Sequence, residues 1–457
     1  MFAIPGICAL VVFVLARPQE FFEVLQKIPL LYIFCAAAIG GFAVDLRLRR
    51  VALVPAPTFK WIMMLFFWGC ICDAVKIPDQ LVASVVDLGI LLTLYLTIAH
   101  GAQGFRAFQV IAATLMATCL FITVVCVHQS VQPRECIAID ETHPSEGQPD
   151  GRDCEEMDDC FGPGAEPGAE YICERVGLLK TFSIEDRIRY RGELQDPNEV
   201  ALVVTAGGAT LLIAFALRRR NAPWTIGAMI GVPLVVWCVL ASQSRGGIVA
   251  MALVGGAYFV KKIGPAGIGI GAGLAVPMMA LAGRSGEDAD MSTQLRYEAW
   301  DAGLDMFKHS PIFGVGTRQY GDYFFLTAHN SYVLTLAEMG MIGMVLFVSV
   351  LVLNVKMLYV GVRTLNDVPG AAAARTWGLA LLAGFGGILF QIFTLSFAYH
   401  AMLWIYFGLA GAWASSVKAH KPDFDVKLTW RDLFFIVVGC VLFTFIVLPI
   451  YLHLKGV

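Results

Sequence analysis

Apolar segments of about the length of a membrane-spanning helix recur along almost the whole chain. A hydrocarbon core of roughly 30 Å requires about 20 mostly apolar residues per helix, because lipid offers the backbone no hydrogen-bond partners. Hydrophobic residues make up 58% of the 457 positions and charged residues only 15%. These features predict an all-α, polytopic integral membrane protein and exclude a soluble enzyme.

The hydropathy pattern predicts about 12 or 13 transmembrane helices. We interpret residues 1–457 as a single integral membrane domain. The candidate spans lie near residues 2–16, 28–44, 59–75, 81–99, 107–128, 198–217, 223–241, 247–260, 264–282, 330–353, 376–396, 399–417 and 433–452. The first span has no small-residue cleavage site before Arg17, which favours a membrane anchor over a signal peptide.

Clusters of arginine and lysine predict the orientation of the spans. Basic clusters at residues 47–50, 218–220 and 261–262 follow the second, sixth and eighth spans. Such clusters mark cytoplasmic loops. Because an even number of spans precedes each cluster, the pattern predicts a cytoplasmic N-terminus and places the long polar segments on the opposite, extracytoplasmic side.

The first long polar segment, residues 129–197, reads as an acidic, loop-rich insertion with little core of its own. It contains four of the twelve cysteines, namely Cys136, Cys154, Cys160 and Cys173. Four cysteines in an oxidising compartment favour two disulfides, for which three pairings are possible. A zinc site is the rival interpretation, but the spacing contains no C-x-x-C pair.

The second long polar segment, residues 283–328, predicts a short amphipathic helix followed by a Pro- and Gly-rich break. Leu295, Ala299, Ala302 and Met306 form one apolar face, and the string PIFGVG then interrupts the helix. Asp288 and Asp290 resemble a metal-binding carboxylate pair, but a solvated acidic loop accounts equally for one short pair. We predict no metal and no cofactor.

Four polar strings stand close to the ends of apolar spans on the extracytoplasmic side. Charged side chains are costly at such positions and mark functional sites. The strings are RIRYRGELQDPNEVA at residues 187–201, SQSRGG at 242–247, LRYEAWDAGLDMFKHSPIFGVGTRQYGDY at 295–323 and HNSYVLTLAEMG at 329–340. The alternative is structural, since arginines also anchor membrane proteins at lipid phosphates and a histidine can simply begin a helix.

Local chemistry predicts how some of these strings fold. Asp196 and Pro197 are suited to the cap and first turn of a helix. Gly246 and Gly247 allow close backbone approach beside Arg245. Gly340 with Gly343 predicts close packing by another helix. Glu338, nine residues after His329, is expected to lie away from a site at the start of that helix.

The strings in this order resemble the O-antigen ligase and O-antigen polymerase superfamily of bacterial membrane glycosyltransferases. The matching pattern is R-x-x-x-x-DPN-x-x-A, SRGG, R-x-x-x-W with P-I-x-G-x-G, and HN-x-Y-x-x-x-x-x-E-x-G, which covers residues 187–343. The resemblance implies a GT-C-like membrane fold, an undecaprenyl-diphosphate-linked glycan donor and, in the ligase branch, no metal. The cysteine-containing insertion departs from the typical pattern of the family.

This resemblance, together with the chemistry of the donor, assigns roles to the motif residues. Guanidinium groups can stabilise a departing diphosphate without a metal, so Arg191, Arg245 and Arg296 are the predicted diphosphate ligands. Histidine, with an ordinary pKa of about 6.5, suits a general base, so His329 is predicted to be catalytic together with Arg245. His329 could instead orient the acceptor or bind phosphate. Predicted supporting residues are Asn198, Ser244, Gly246, Asn330 and Tyr332.

Several functions remain open within this prediction. The acceptor hydroxyl could belong to lipid A core (an O-antigen ligase of lipopolysaccharide), to a second glycan (a polymerase) or to a protein (an O-oligosaccharyltransferase). A transporter or flippase of lipid-linked sugars is the alternative of a different class, although such proteins favour related halves and mid-bilayer sites. The expected location is the bacterial inner membrane, with lipids but no nucleic acid as partners.

Overall fold

The computed structural model describes residues 1–140, 143–162, 164–166, 168–219, 221–264, 273 and 287–457. Its α-helices are α1 Ala3–Ala16, α2 Glu23–Gln26, α3 Leu30–Arg47, α4 Phe59–Lys76, α5 Leu81–Gly101, α6 Phe105–Ser130, α7 Pro197–Val203, α8 Thr210–Arg219, α9 Ala222–Ala241, α10 Arg245–Ile263, α11 Glu287–His309, α12 Tyr320–Tyr323, α13 Ser331–Thr364, α14 Ala372–Gln391, α15 Ala401–His420, α16 Trp430–Leu442 and α17 Leu448–Lys455. Short π-helical segments, Val204–Ala209 and Phe443–Val447, join α7 to α8 and α16 to α17.

Eight helical segments of the described chain are long and apolar enough to cross a membrane. They are Leu30–Arg47, Pro78–Gly101, Phe105–Ser130, Pro197–Arg218, Ala222–Ala241, Ser331–Thr364, Ala372–Gln391 and Trp430–Lys455. Helices α1, α4, α10 and α15 occupy further predicted spans. The span predicted near residues 264–282 falls almost wholly outside the described residues. Helices account for 71% of the structure, so the predicted all-α, polytopic fold is confirmed.

The chain divides into two compact units. The first comprises Met1–Leu10, Ile33–Ala112 and Ser285–Val457, and the second comprises Val11–Tyr32 and Ala113–Arg284. Small residues allow close helix packing inside the first unit, as membrane helices require. A Cβ atom on Gly411 of α15 would lie 2.8 Å from Cβ of Ala99 in α5.

Helix α13 folds back on itself at Gly340, where φ is 65° and ψ is −170°. The rings of Tyr332 and Phe347 lie 6.2 Å apart, centroid to centroid. A straight helix would separate these two positions by about 22 Å, at a rise of about 1.5 Å per residue. Residues 331–339 therefore form a short arm, and residues 341–364, about 36 Å long, form the segment of membrane-spanning length.

The backbone of the PIFGVG string provides hydrogen-bond partners for the backbone groups that lose their helical partners at the fold-back. Val315 and Gly316 donate their backbone N–H groups to the carbonyls of Ala337 and Glu338, each over 3.0 Å. The N–H of Met341 in turn donates to the carbonyl of Pro311 over 2.9 Å. Freed backbone groups at a broken membrane helix are tolerated only when protein partners satisfy them in this way.

Gly340 therefore faces the PIFGVG loop, because a Cβ atom there would lie 2.2 Å from the carbonyl oxygen of Ile312. The prediction that Gly340 packs against another helix was wrong. The positive φ of Gly340 turns the backbone out of the helix and toward the loop. Gly343 does meet a helix, since a Cβ atom there would lie 3.5 Å from the Trp68 ring in α4.

The cysteine-containing insertion folds as a three-stranded antiparallel sheet in the order β2-β1-β3. The strands are β1 Arg134–Asp140, β2 His143–Asp153 and β3 Glu170–Arg175. Disulfides join Cys136 to Cys160 and Cys154 to Cys173. Cys136 and Cys160 are fully buried and pack with Tyr171 in a small core.

The core of the insertion is small and consists of Cys136, Cys154, Cys160 and Tyr171 with a few partly buried neighbours. The two cross-links supply a core that the acidic composition does not indicate, because disulfides stabilise small domains whose apolar content is low. The sulfur atoms are paired with one another, which favours the disulfide interpretation over the zinc alternative.

Candidate functional site

In the first unit, His329 occupies a left-handed backbone position directly before α13. Its φ is 43°, and its backbone N–H donates to the hydroxyl of Ser396 over 2.9 Å. The next residue, Asn330, caps the helix, since its side-chain oxygen accepts from the N–H groups of Tyr332 (2.9 Å) and Val333 (3.2 Å). His329 is thus held at a rigid helix start, and the residue as a whole is only partly buried.

The segment 392–397 fastens this helix start to the rest of the first unit. Ser331 donates its N–H to the carbonyl of Ile392 over 2.8 Å and its hydroxyl to the carbonyl of Leu395 over 2.7 Å. The N–H of Phe397 donates to the Ser331 hydroxyl over 2.8 Å. These three hydrogen bonds fix Ser331, two residues after His329, and thereby fix the helix start that carries His329.

Helix α11 contacts the residue before His329 through Trp300. The indole N–H of Trp300 donates to the carbonyl of Ala328, the residue before His329, over 2.8 Å. Arg296 lies four residues before Trp300, which places both residues on the same face of α11. The predicted amphipathic helix is present as the 23-residue α11, longer than the sequence indicated.

The predicted supporting residue Tyr332 packs among aromatic rings. Its ring centroid lies 4.4 Å from that of Phe393 and 6.4 Å from that of Phe443. Tyr332 also lines the end of an apolar groove of about 720 Å³ that runs along α13 to Tyr359. Asn330 and Tyr332 thus act on the geometry of the helix start.

Two buried carboxylates lie near the fold-back, and the sequence analysis did not select either of them. Asp73, fully buried in α4, accepts from the N–H and the hydroxyl of Thr317, both over 2.7 Å. Glu338, also buried, accepts from the N–H of Tyr320 over 3.1 Å. An acidic residue inside an apolar span is itself a functional signal, and Asp73 could have been selected on that ground.

In the second unit, the strings RIRYR and SQSRGG lie side by side. Arg187 donates its Nε–H to the carbonyl of Ser242 over 3.0 Å, and the N–H of Ile188 donates to the carbonyl of Ala241 over 3.3 Å. Two motifs that are some 55 residues apart in the sequence are therefore one local structure.

Helices α7 and α10 begin in contact at this place. The Ser244 hydroxyl accepts from the N–H of Gly247 over 3.0 Å and so caps α10. A Cβ atom on Gly247 would lie 2.4 Å from Cβ of Ala201 in α7, so the glycine permits this approach. Arg245 is the exposed first residue of α10, and Gly246 follows it in the first turn.

The predicted cap of α7 is present. Asp196 accepts from the N–H and the side-chain amide of Asn198, each over 2.8 Å. Pro197 occupies the first turn. Asn198 is thus tied to the cap residue at the start of a helix, a place where backbone N–H groups attract anions.

Arg191 is tied to neighbouring backbone through both ends of its guanidinium group. Nη1 donates to the carbonyl of Glu20 over 3.2 Å, and Nη2 donates to the carbonyl of Lys180 over 2.9 Å. The guanidinium carbon lies 5.2 Å from the centroid of the Phe21 ring. The orientation of the guanidinium group is therefore fixed by three residues from two segments of the second unit.

The disulfide-bonded sheet holds the segment that leads into these arginines. Arg134 of β1 donates Nε–H to Asp186 over 3.0 Å and forms a second bond to the same carboxylate, and Arg175 of β3 donates to it over 3.2 Å. The Glu174 carboxylate accepts from the N–H of Asp186 over 3.3 Å and from the Ser183 hydroxyl. Charged partners of this kind form the stronger class of hydrogen bonds.

Burial of Arg189, in the same segment, lowers the pKa of its guanidinium group to about 10, and the negative charge of Glu174 opposes this effect. The guanidinium group therefore stays charged at neutral pH. Its Nε–H donates to the carbonyl of Phe182 over 3.1 Å, and its carbon lies 4.3 Å from the centroid of the Phe182 ring.

The structure thus gathers the predicted residues in two groups, one in each unit. Arg191, Asn198, Ser244, Arg245 and Gly246 belong to the second unit, and Arg296, His329, Asn330 and Tyr332 belong to the first. Within each unit, motifs that are distant in sequence share direct hydrogen bonds. The fold and these motifs define a polytopic membrane protein with polar strings at helix starts.

The comparison with protein families makes the assignment more specific. Residues 200–348 match the O-antigen ligase family model, which confirms the predicted resemblance to the O-antigen ligase and polymerase superfamily. Members of this family are glycosyltransferase-type enzymes, ligases or polymerases. Arg245, Arg296 and His329 lie inside the match, whereas Arg191 and Asn198 precede it. The comparison with curated proteins gives no match.

Proposed function

We propose that this protein transfers a glycan from an undecaprenyl-diphosphate-linked donor to an acceptor hydroxyl, with inversion at the anomeric carbon and without a metal. The proposal places the reaction on the periplasmic face of a bacterial inner membrane, with a cytoplasmic N-terminus, in surface polysaccharide biosynthesis. The observation that carries it is the family match over residues 200–348, which contains three of the four predicted chemical residues.

The arginines have the chemistry that a diphosphate leaving group requires. As the sugar–oxygen bond breaks, negative charge grows on the lipid diphosphate, and fixed guanidinium groups stabilise it with paired N–H donors. Arg245 supports this role because it is exposed at the first position of a 19-residue helix, where the helix dipole also favours an anion. Arg191 and Arg296 are the other proposed diphosphate ligands.

His329 is the proposed general base. In a single displacement with inversion, the acceptor hydroxyl attacks the anomeric carbon as the diphosphate leaves, and the base accepts the hydroxyl proton. The support is geometric, since the bonds through Ser396 and Ala328 fix the backbone around the partly exposed residue His329 at a rigid helix start. Preorganisation of this kind is what an efficient proton acceptor needs.

Lipid A core, a growing glycan and a protein hydroxyl are the three proposed acceptor classes. Deletion of the gene distinguishes them through the intermediates that accumulate. Long glycans that remain on the lipid diphosphate indicate a ligase, single repeats indicate a polymerase, and loss of glycoprotein alone indicates a protein acceptor.

Arg245→Ala is expected to lower the transfer rate about a hundredfold, as removal of one charge-stabilising donor does elsewhere. The assay uses protein purified in detergent, with a lipid-linked donor and a hydroxyl acceptor, and measures both donor consumption and product. Arg218→Ala, which removes an exposed arginine outside the motif strings, is the matched control and should retain wild-type rates.

Normal activity of the Arg245→Ala protein would remove Arg245 from the site. Detergent contains no separate compartments, so transport cannot be the reason for donor consumption there. If the wild-type protein consumes no donor in detergent, the enzyme proposal fails and the result favours the transporter alternative.

Asp186→Asn is expected to raise the KM for the donor about tenfold with a smaller change in kcat. The substitution removes the charge that holds Arg134 and Arg175, and bonds to charged groups contribute about 1.5–3 kcal/mol. Asp186→Glu should restore most of the affinity if the carboxylate positions the arginine segment.

Asp150→Asn is the control for this substitution, because Asp150 pairs with Arg152 in the same insertion at a similar exposure. An equal rise in KM for both asparagine variants would contradict a specific role for Asp186.

A further inference from the structure

A cavity of about 680 Å³ lies within the second unit, between the end of α1 and the cysteine-containing insertion. Its lining includes Arg17, Gln148, Lys180, Arg189, Arg191 and Gln195. Gln148 belongs to β2 of the insertion. The volume is in the range of sites for small molecules, roughly 300–1,000 Å³.

The charge of the lining favours an anionic ligand. Four cationic side chains, those of Arg17, Lys180, Arg189 and Arg191, outnumber the two acidic ones of Glu20 and Glu193. Arg17 bridges both acids, at 3.1 Å from Glu20 and 3.7 Å from Glu193. This pairing satisfies the acids and leaves a net positive lining.

The neutral part of the lining favours carbohydrate over a bare inorganic ion. Gln26, Gln148, Thr181 and Gln195 offer amide and hydroxyl groups that can donate to and accept from sugar hydroxyls. Phe21 and Phe182 stand behind two of the arginines and orient their guanidinium planes. The guanidinium groups, oriented by these two rings, can bind the charge of an acidic sugar, and the amide and hydroxyl groups can bind the hydroxyls of its ring.

We infer that this cavity binds an anionic sugar, one that bears a carboxylate or a phosphate, and that the insertion thereby selects the glycan. The inference rests on the proposed function for the presence of a glycan substrate. It adds a substrate class, acidic glycans, and a role for the insertion, whose residues Gln148 and Lys180 line the cavity.

Equilibrium binding to the full chain in detergent tests this inference with defined probes. They are trigalacturonic acid for the carboxylate, glucose 1-phosphate for the phosphate, and maltotriose as the neutral control. At least one acidic probe should bind about tenfold more tightly than maltotriose. Equal affinities for all three would overturn the inference, and so would tight binding of inorganic pyrophosphate with no binding of either acidic sugar.

Charge substitutions at Gln148 show whether the cavity is the binding site. Gln148 is exposed, so both substitutions should fold. Gln148→Glu should weaken the acidic probe about tenfold and Gln148→Lys should strengthen it about threefold, while maltotriose binding stays unchanged. Lys27→Gln changes the net charge as Gln148→Glu does, at an exposed residue outside the lining, and should have no effect.

If the charge at position 148 does not change the binding of the acidic probes, the cavity is excluded as their binding site. Because no donor or acceptor is present, these measurements are independent of catalysis. If the protein binds acidic sugars but transfers no glycan, only the proposed function is contradicted. If it transfers glycan but does not bind acidic sugars, only the inference about the cavity is contradicted.

Discussion

Replacement of His329 by alanine is expected to lower the rate of glycan transfer about a thousandfold without loss of donor binding. General bases contribute about 10²- to 10⁴-fold to reaction rates. The proposed base stands directly before the capped start of α13, and its backbone is bonded to Ser396. Removal of the imidazole leaves this frame in place, so the effect should fall on kcat.

A second variant at His329 is needed because the backbone there is left-handed. Asparagine adopts positive φ more readily than most residues and has no comparable proton affinity, so His329→Asn should preserve folding yet lack transfer activity. His309→Ala is the matched control, because His309 ends α11 in the same unit with a side chain 78% exposed. Substantial transfer by a well-folded His329→Asn protein would rule out the general-base role.

The second large effect is expected from Gly340→Ala, which should destabilise the first unit and eliminate activity. The dihedral angles of Gly340 belong to a region that is essentially restricted to glycine, and a side chain there costs about 1–3 kcal/mol. The added Cβ would also lie 2.2 Å from the Ile312 carbonyl oxygen, a backbone atom that cannot rotate away. We therefore expect a loss of about 3 kcal/mol or more.

Gly386→Ala is the control for this experiment. Gly386 lies inside α14 of the same unit, and a Cβ atom there would meet nothing within 4 Å. Alanine is the better helix former, so this variant should be as stable as wild type or slightly more stable. Thermal unfolding in detergent, followed by intrinsic fluorescence, measures both proteins. A Gly340→Ala protein with an unchanged Tm would contradict the fold-back at Gly340.

The helical part of the fold could be predicted because its signal is local. Runs of apolar residues identify spans regardless of their partners, and described helices occupy every predicted span except the one near residues 264–282. The Asp196 cap of α7 could also be predicted, since the cap residue and the N–H group that it accepts are two positions apart. Short-range chemistry of this kind is visible in the sequence.

The fold-back and the partners of the buried carboxylates could not be predicted, because the groups that meet there are distant in sequence. Thr317 and Asp73 are 244 positions apart, and the carbonyl of Glu338 meets the PIFGVG loop only in the folded unit. Helical periodicity continues through Gly340, so the sequence indicates one uninterrupted span. The sheet escaped prediction for another reason, since β2 contains glycine and proline and few strand-forming residues.

The cross-linked insertion also bears on how the protein matures. The loops closed by Cys136–Cys160 and Cys154–Cys173 overlap, and Arg134 and Arg175, which bond Asp186, belong to the strands that contain Cys136 and Cys173. Membrane insertion of the helices needs no thiol oxidation, whereas we expect order in the arginine segment to depend on these cross-links. If the proposed transfer reaction is right, chains with reduced cysteines are expected to be inactive until these four thiols are oxidised, which would make cysteine oxidation a step in the maturation of the protein.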